Sequence, residues 1–205
     1  MTSDKSGSPP CGIYIRIDDF SNMLDVIGWV RKLAFTINRA SGYEKNMSIL
    51  ELVYAPENAE KIKDIIPIIR QQGLVAIVTG GDVDADGYLF NDISERPKDM
   101  DEDKITGLIC KSKAEAEAAI ERSIDFITLP ADPSLIAWFK SRSEVLCVAD
   151  GAGITANMCE ALARAGADFI NVSDYILKHD KDIMQGTVNV LDALKQAEDA
   201  PKSLN

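Results

Sequence analysis

Positive charge, histidine and paired cysteines are all scarce in this chain, and each scarcity narrows the chemistry. Lys and Arg number 22 against 33 Asp and Glu, a formal net charge of -11. No cationic cluster stands out, so the phosphate backbone of a nucleic acid has nothing to hold. The four cysteines, at positions 11, 110, 147 and 159, never fall at the two-residue spacing of zinc or redox pairs and read as reduced thiols. The single histidine, His179, lies beside Asp180; it is either a general base near an active face or a solvated residue leading into a helix. No apolar run approaches the roughly 18 residues of a membrane span. Residues 1–11 are polar and turn-rich, which reads as a disordered lead-in rather than a signal peptide and implies a cytoplasmic protein.

What is abundant is core. At 205 residues, 46% hydrophobic and 27% charged, the composition fits one soluble globular domain over residues 12–198, with a flexible tail from 199. Strand-like and helix-like segments alternate along it. Ile13 to Ile17, Ser48 to Tyr54, Leu74 to Thr79, Tyr88 to Phe90, Ile105 to Ile109, Ile124 to Leu129, Val145 to Ala149 and Phe169 to Val172 read as strands. Helical spacing fills Phe20 to Arg39, Pro56 to Gln72, Ser112 to Arg122, Pro133 to Ser141, Thr155 to Ala165 and Asp182 to Ala197. Trp29 and Trp138 fall inside two of these helices and read as packing residues. Between Thr79 and Tyr88 there is no room for a crossover helix. Either that helix is lost or the two strands are not neighbours. The expected fold is a small (β/α)8 TIM barrel with a shortened third βα unit; an open doubly wound sheet is the alternative.

The last third carries the clearest ligand signal. The strand ending at Ala149 runs into Asp150-Gly151-Ala152-Gly153-Ile154-Thr155, and the strand from Phe169 ends at Ser173. Glycines after one strand and a short helix start after the next offer converging N–H groups to a phosphate. Gly151 and Gly153 could equally serve a tight turn; Ser173 shifts the reading towards phosphate binding.

Ala85-Asp86-Gly87-Tyr88-Leu89, Lys113 to Ala119 with Ile124-Asp125-Phe126-Ile127, Val148 to Ile154, and Ala165-Gly166-Ala167-Asp168-Phe169 through Ser173 resemble, in order and spacing, the thiamine phosphate synthase/TenI family of barrels. The likeness spans about residues 74 to 177. It implies a site at the C-terminal strand ends where thiazole phosphate is joined to an aminopyrimidine diphosphate with Mg²⁺. Gly151, Gly153, Ile154 and Ser173 would carry the phosphate, and the partner would be a phosphorylated small molecule. Barrels of this kind often pair through flanking helices, which makes a homo-oligomer through Trp29 and Phe35 an expectation.

The catalytic half departs from that pattern. Glu51-Leu52-Val53-Tyr54-Ala55 stands where the family has Gln-Leu-Arg-x-Lys, and Thr128-Leu129-Pro130 stands where it grips pyrophosphate. A diphosphate leaving group needs cations. Asp82 and Asp92 are the candidate Mg²⁺ ligands, with Asp84 and Asp86 readable as turn formers. Lys111 and Glu51 are the remaining catalytic candidates. Three readings stand: a phosphate-binding barrel with degenerate catalysis, a working synthase with cations supplied by Lys111 or Arg16, or another phosphate-handling enzyme such as an isomerase using Asp18 or Glu51.

Overall fold

A computed structural model describes residues 11–40, 48–81, 83–97 and 100–199. The expected lead-in up to residue 10, the tail from 200 and Asp82 lie outside them. Eight parallel strands close into a barrel in sequence order: β1 (Gly12–Ile17), β2 (Ile49–Val53), β3 (Val75–Thr79), β4 (Gly87–Phe90), β5 (Ile105–Ile109), β6 (Phe126–Pro130), β7 (Leu146–Asp150) and β8 (Phe169–Asn171). The helices are α1 (Met23–Arg39), α2 (Ala59–Gln71), α3 (Lys113–Ile120), α4 (Pro133–Lys140), α5 (Ala156–Arg164), α6 (Ser173–Leu177) and α7 (Ile183–Asp199). The barrel expected from the strand count is therefore present, and the open sheet is not.

Each helix buries one stripe. In α1, Val26, Val30, Leu33, Ala34 and Ile37 recur at three to four residues and are buried, with the Asn22 side chain capping the first turn. α7 packs between α1 and α5 and completes the helical ring at the β8–β1 closure. Phe35 of α1 is 49% exposed, whereas Trp29 packs partly against the core.

The strands alternate between two cores. One set of side chains faces the helices. The other, Tyr14, Ile49, Ile77, Leu89, Phe126, Val148 and Phe169, fills the barrel itself. The Phe126 ring crosses that interior over Gly107, where any Cβ would come within 2.1 Å of it. Only glycine fits beneath this ring.

β3 and β4 are neighbours, with Ile77 opposite Gly87, so the short connection means a lost helix rather than a rearranged sheet. Its described residues hold to the barrel by charge and burial. Arg70 of α2 pairs with Asp86 at 2.7 Å and Asp84 at 3.3 Å, Lys104 pairs with Asp84 at 2.6 Å, and Val83 and Ala85 are buried. These pairs take both aspartates as structural partners.

Asp86 also belongs to a repeated device. Its N–H donates to the Ala76 carbonyl at 3.0 Å while its carboxylate accepts from Ala76 N–H at 2.8 Å. Asp125 does the same with Thr106, at 2.9 and 2.7 Å, and Asp168 with Cys147, at 2.9 and 2.8 Å. Each aspartate immediately precedes an even-numbered strand and clasps the second residue of the strand before it. At the equivalent place before β2 stands Ser48, buried, its hydroxyl without a partner among the described residues.

Candidate functional site

Continuing the barrel-filling alternation one step towards the C-terminal strand ends replaces apolar side chains by Arg16, Glu51, Thr79, Asp150 and Asn171. They meet. Arg16 Nε donates to Glu51 Oε2 at 2.7 Å, and Arg16 Nη2 donates to Asp150 Oδ2 at 2.7 Å. Thr79 Oγ1 donates to Glu51 Oε1 at 2.6 Å, and Asn171 Nδ2 to Asp150 Oδ1 at 2.8 Å. Both carboxylates thus have both oxygens engaged, which is what partial burial of a charge requires.

The electrostatics follow from that arrangement. Burial alone would lower the tendency of Arg16 to hold its proton, but Glu51 and Asp150 outweigh it and keep the guanidinium firmly charged. The Tyr14 phenol lies beneath Glu51, with no hydrogen bond of good geometry. Its burial, and then the Glu51 charge, push its pKa well above the ordinary value. Tyr14 is therefore a neutral floor to the site.

Beside this network, β7, β8 and α6 frame a cleft of about 380 Å³ lined by Arg16, Asp150, Gly151, Ile154 and Ser173 among others. Gly153 adopts φ +72°, with open space where a Cβ would lie. The turn needs that conformation, since an L side chain there is strained. The N–H groups of residues 151–154 donate to no protein acceptor among the described residues. They precede α5, whose Thr155 cap makes no side-chain hydrogen bond. Such N–H groups are what an anion would use.

Ser173 is placed at the same cleft but is already engaged. Its hydroxyl accepts from Arg16 N–H at 2.6 Å and donates to Asn171 Oδ1 in a very short contact. Of the four residues expected to hold phosphate, Gly151, Ile154 and Ser173 line one cleft, with Gly153 in the turn between them.

The other candidates are dispersed. Lys111 follows β5, is exposed, and gives its backbone N–H to Glu115 at 2.5 Å; its side chain does not line the cleft. Asp92 caps a 3-10 turn, accepting from Ser94 N–H at 2.8 Å, and those hydrogen bonds hold its carboxyl below the usual range. Glu51 is committed to Arg16 and Thr79. Among the described residues no three His, Cys, Asp or Glu come together as a metal-binding group, and Asp82, the other candidate Mg²⁺ ligand, lies outside them. His179 stacks edge-on to Tyr175 at 5.3 Å and accepts from Lys181 N–H at 3.3 Å, outside the cleft lining.

Sequence reasoning passed over Asp150 and Asn171. The signal was available as strand parity: both continue the inward row that contains Val148 and Phe169.

Comparison with known proteins follows the same line. No protein-family model matches the chain. A thiamine-phosphate synthase of Rhodospirillum centenum (strain ATCC 51521 / SW) is 27% identical over 146 residues, covering 64% of this chain and 70% of that protein. The solved thiamine phosphate pyrophosphorylase of Pyrococcus furiosus superposes with a TM-score of 0.67 at 17% identity, over 91% of this chain and 96% of that one. Orotidine 5'-phosphate decarboxylase of Pyrococcus horikoshii reaches a TM-score of 0.66 at 13% identity, over 89% and 99%. The likeness read from the sequence motifs is thus supported in sequence and in fold, and the fold itself is shared with other barrels.

Proposed function

We propose that this thiamine-phosphate-synthase-like barrel binds a phosphorylated small molecule, of the thiazole phosphate type, at the cleft between β7 and β8, with its catalytic half degenerate. The observation that carries the reading is the state of Arg16. It is the strand-end cation in the network, and it is shared between Glu51 and Asp150. A departing diphosphate requires cations free to follow its developing charge. A guanidinium held by two carboxylates cannot be given up to that charge without stranding Glu51, which is 1% exposed.

Phosphate recognition needs less. The N–H groups of residues 151–154 and the first turn of α5 suit a phosphomonoester without a metal, and no step of this reading runs through Mg²⁺. The ligand class is supported by the proteins this chain is similar to, since the thiamine-phosphate synthase and, by fold alone, the orotidine 5'-phosphate decarboxylase are both named for phosphorylated compounds. Isomerase chemistry with Glu51 as base is disfavoured because both of its oxygens are taken.

The test is calorimetric titration with thiazole phosphate, then with aminopyrimidine diphosphate plus Mg²⁺, followed by an assay of the mixture for thiamine phosphate. Binding of the first without product is expected. Product formation would restore the synthase, and absence of binding to either would sink both thiamine readings.

A further inference from the structure

Three of the four odd-to-even seams of the barrel are clasped by an aspartate, and the fourth is held in another way. Before β4, β6 and β8 the aspartate engages the second residue of the preceding strand through both its N–H and its carboxylate. Before β2 stands Ser48. Its carbonyl is tied forward to Val75 N–H of β3 at 3.1 Å, but its N–H bonds to no carbonyl of β1 among the described residues. Its buried hydroxyl has no partner among them either. Both halves of the clasp are therefore missing between β1 and β2. What this seam has instead lies at its other end, where Arg16 and Glu51 are direct partners in the strand register and meet at 2.7 Å. The corresponding mouth partners are Thr79 with Leu89 in β3–β4 and Ile109 with Thr128 in β5–β6, neither of them charged.

We infer that the β1–β2 seam is the barrel's point of local opening, with the Arg16–Glu51 pair as its latch, and that this opening is coupled to occupancy of the cleft. A strand pair pinned at one end only parts from the other at lower free energy than a pair clasped there by a charged hydrogen bond. The coupling runs through β1. Arg16 lines the cleft, and its backbone N–H donates to the Ser173 hydroxyl at 2.6 Å. Movement of β1 away from β2 takes the cation and the partner of Ser173 out of the cleft wall together. A ligand that needs that wall binds the closed form alone, and by linkage it holds the seam shut. The coupling rests on the phosphate-binding reading above; the opening itself does not.

Amide hydrogen exchange at neutral pH tests both parts. In the protein without ligand, Gly12–Ile17 and Ile49–Val53 should be roughly tenfold less protected than Ile105–Ile109 and Phe126–Pro130, the exchange equivalent of one hydrogen bond to a charged group. Ser48→Asp supplies the missing carboxylate and should raise protection of β1 and β2 about tenfold while leaving β5 and β6 as they were. Should that variant not fold, Asp125→Ala unclasps β5–β6 and should bring its protection down to the β1–β2 level. Thiazole phosphate at a saturating concentration should slow β1 and β2 selectively. Equal protection of the two seams in the free protein would overturn the inference. A difference that bound thiazole phosphate leaves unchanged overturns the coupling and supports the opening. If calorimetry shows that thiazole phosphate does not bind, the phosphate reading fails and the coupling with it, while the free protein still decides the seam.

Discussion

Arg16 and Glu51 meet at 2.7 Å across the mouth of the barrel, yet only one of them reaches water: the Arg16 side chain is 30% exposed and that of Glu51 1%. The carboxylate is tolerated there because of the guanidinium. Removing the cation alone leaves a buried charge without compensation. Arg16→Met should lower unfolding free energy by about 3 kcal/mol, measured by urea denaturation at neutral pH. The double variant Arg16→Met/Glu51→Leu should recover most of that loss, and a single variant as stable as the parent would show that the pair does not hold the barrel mouth.

The aspartate clasps predict a contrast between acids that look alike in sequence. Asp168 accepts from Cys147 N–H and from Lys140, and donates its own N–H across the same junction. Asp168→Ala should cost about 2 kcal/mol, as expected for hydrogen bonds to a charged group. Asp84 is 74% exposed, and its ion pairs are solvated. Asp84→Ala should cost less than about 1 kcal/mol. Equal losses in denaturant titrations would refute the distinction.

The thiols give the protein an alkaline weakness. Cys110, Cys147 and Cys159 are buried, and desolvation pushes each from 9.0 up to about 12; Cys11 is also well above its ordinary value. A folded pKa raised above the unfolded one means that the contribution is complete below about pH 9 and is lost as pH climbs towards 12. Each thiol adds up to about 1.4 kcal/mol per pH unit in that window. Stability measured from pH 8 to 10.5 should fall increasingly steeply, and Cys159→Ala should flatten the slope. A thiol reagent at pH 8 should modify none of the four until the chain unfolds.

Two glycines should respond differently to the same methyl group. Gly107→Ala drives a Cβ into the Phe126 ring at 2.1 Å, and overpacking of this kind costs about 2 kcal/mol or more. Gly153→Ala meets no atom within 4 Å and pays only for its positive φ, about 1 kcal/mol. Thermal melts of the two variants decide the order.

The barrel was legible because β1 to β8 are short apolar runs at barrel-like intervals and the helices between them keep a 3.6-residue stripe, as α1 does with Val26, Val30, Leu33 and Ile37. Helix ends were less so: Pro56 opens a 3-10 turn rather than α2, and α6 is too short for periodicity to show. At the site, Gly151, Ile154 and Ser173 were legible from glycine spacing and the strand end. Asp150 was not, because a carboxylate beside glycines reads as part of a turn until the strand's parity points it inward; its partner Arg16 lies 134 positions earlier in the chain and reaches it only because the barrel closes. The aspartates before β4, β6 and β8 carried the family likeness, and their role in the fold is tertiary in the same way.

The clasps lie at the opposite rim from the cleft between β7 and β8. Barrel closure at three of the four odd-to-even junctions is thus secured by residues that do not line that cleft. Mutations at the other rim can redraw charge and specificity without opening those staves, so a lineage of such chains has freedom to exchange one ligand for another while its architecture stays put.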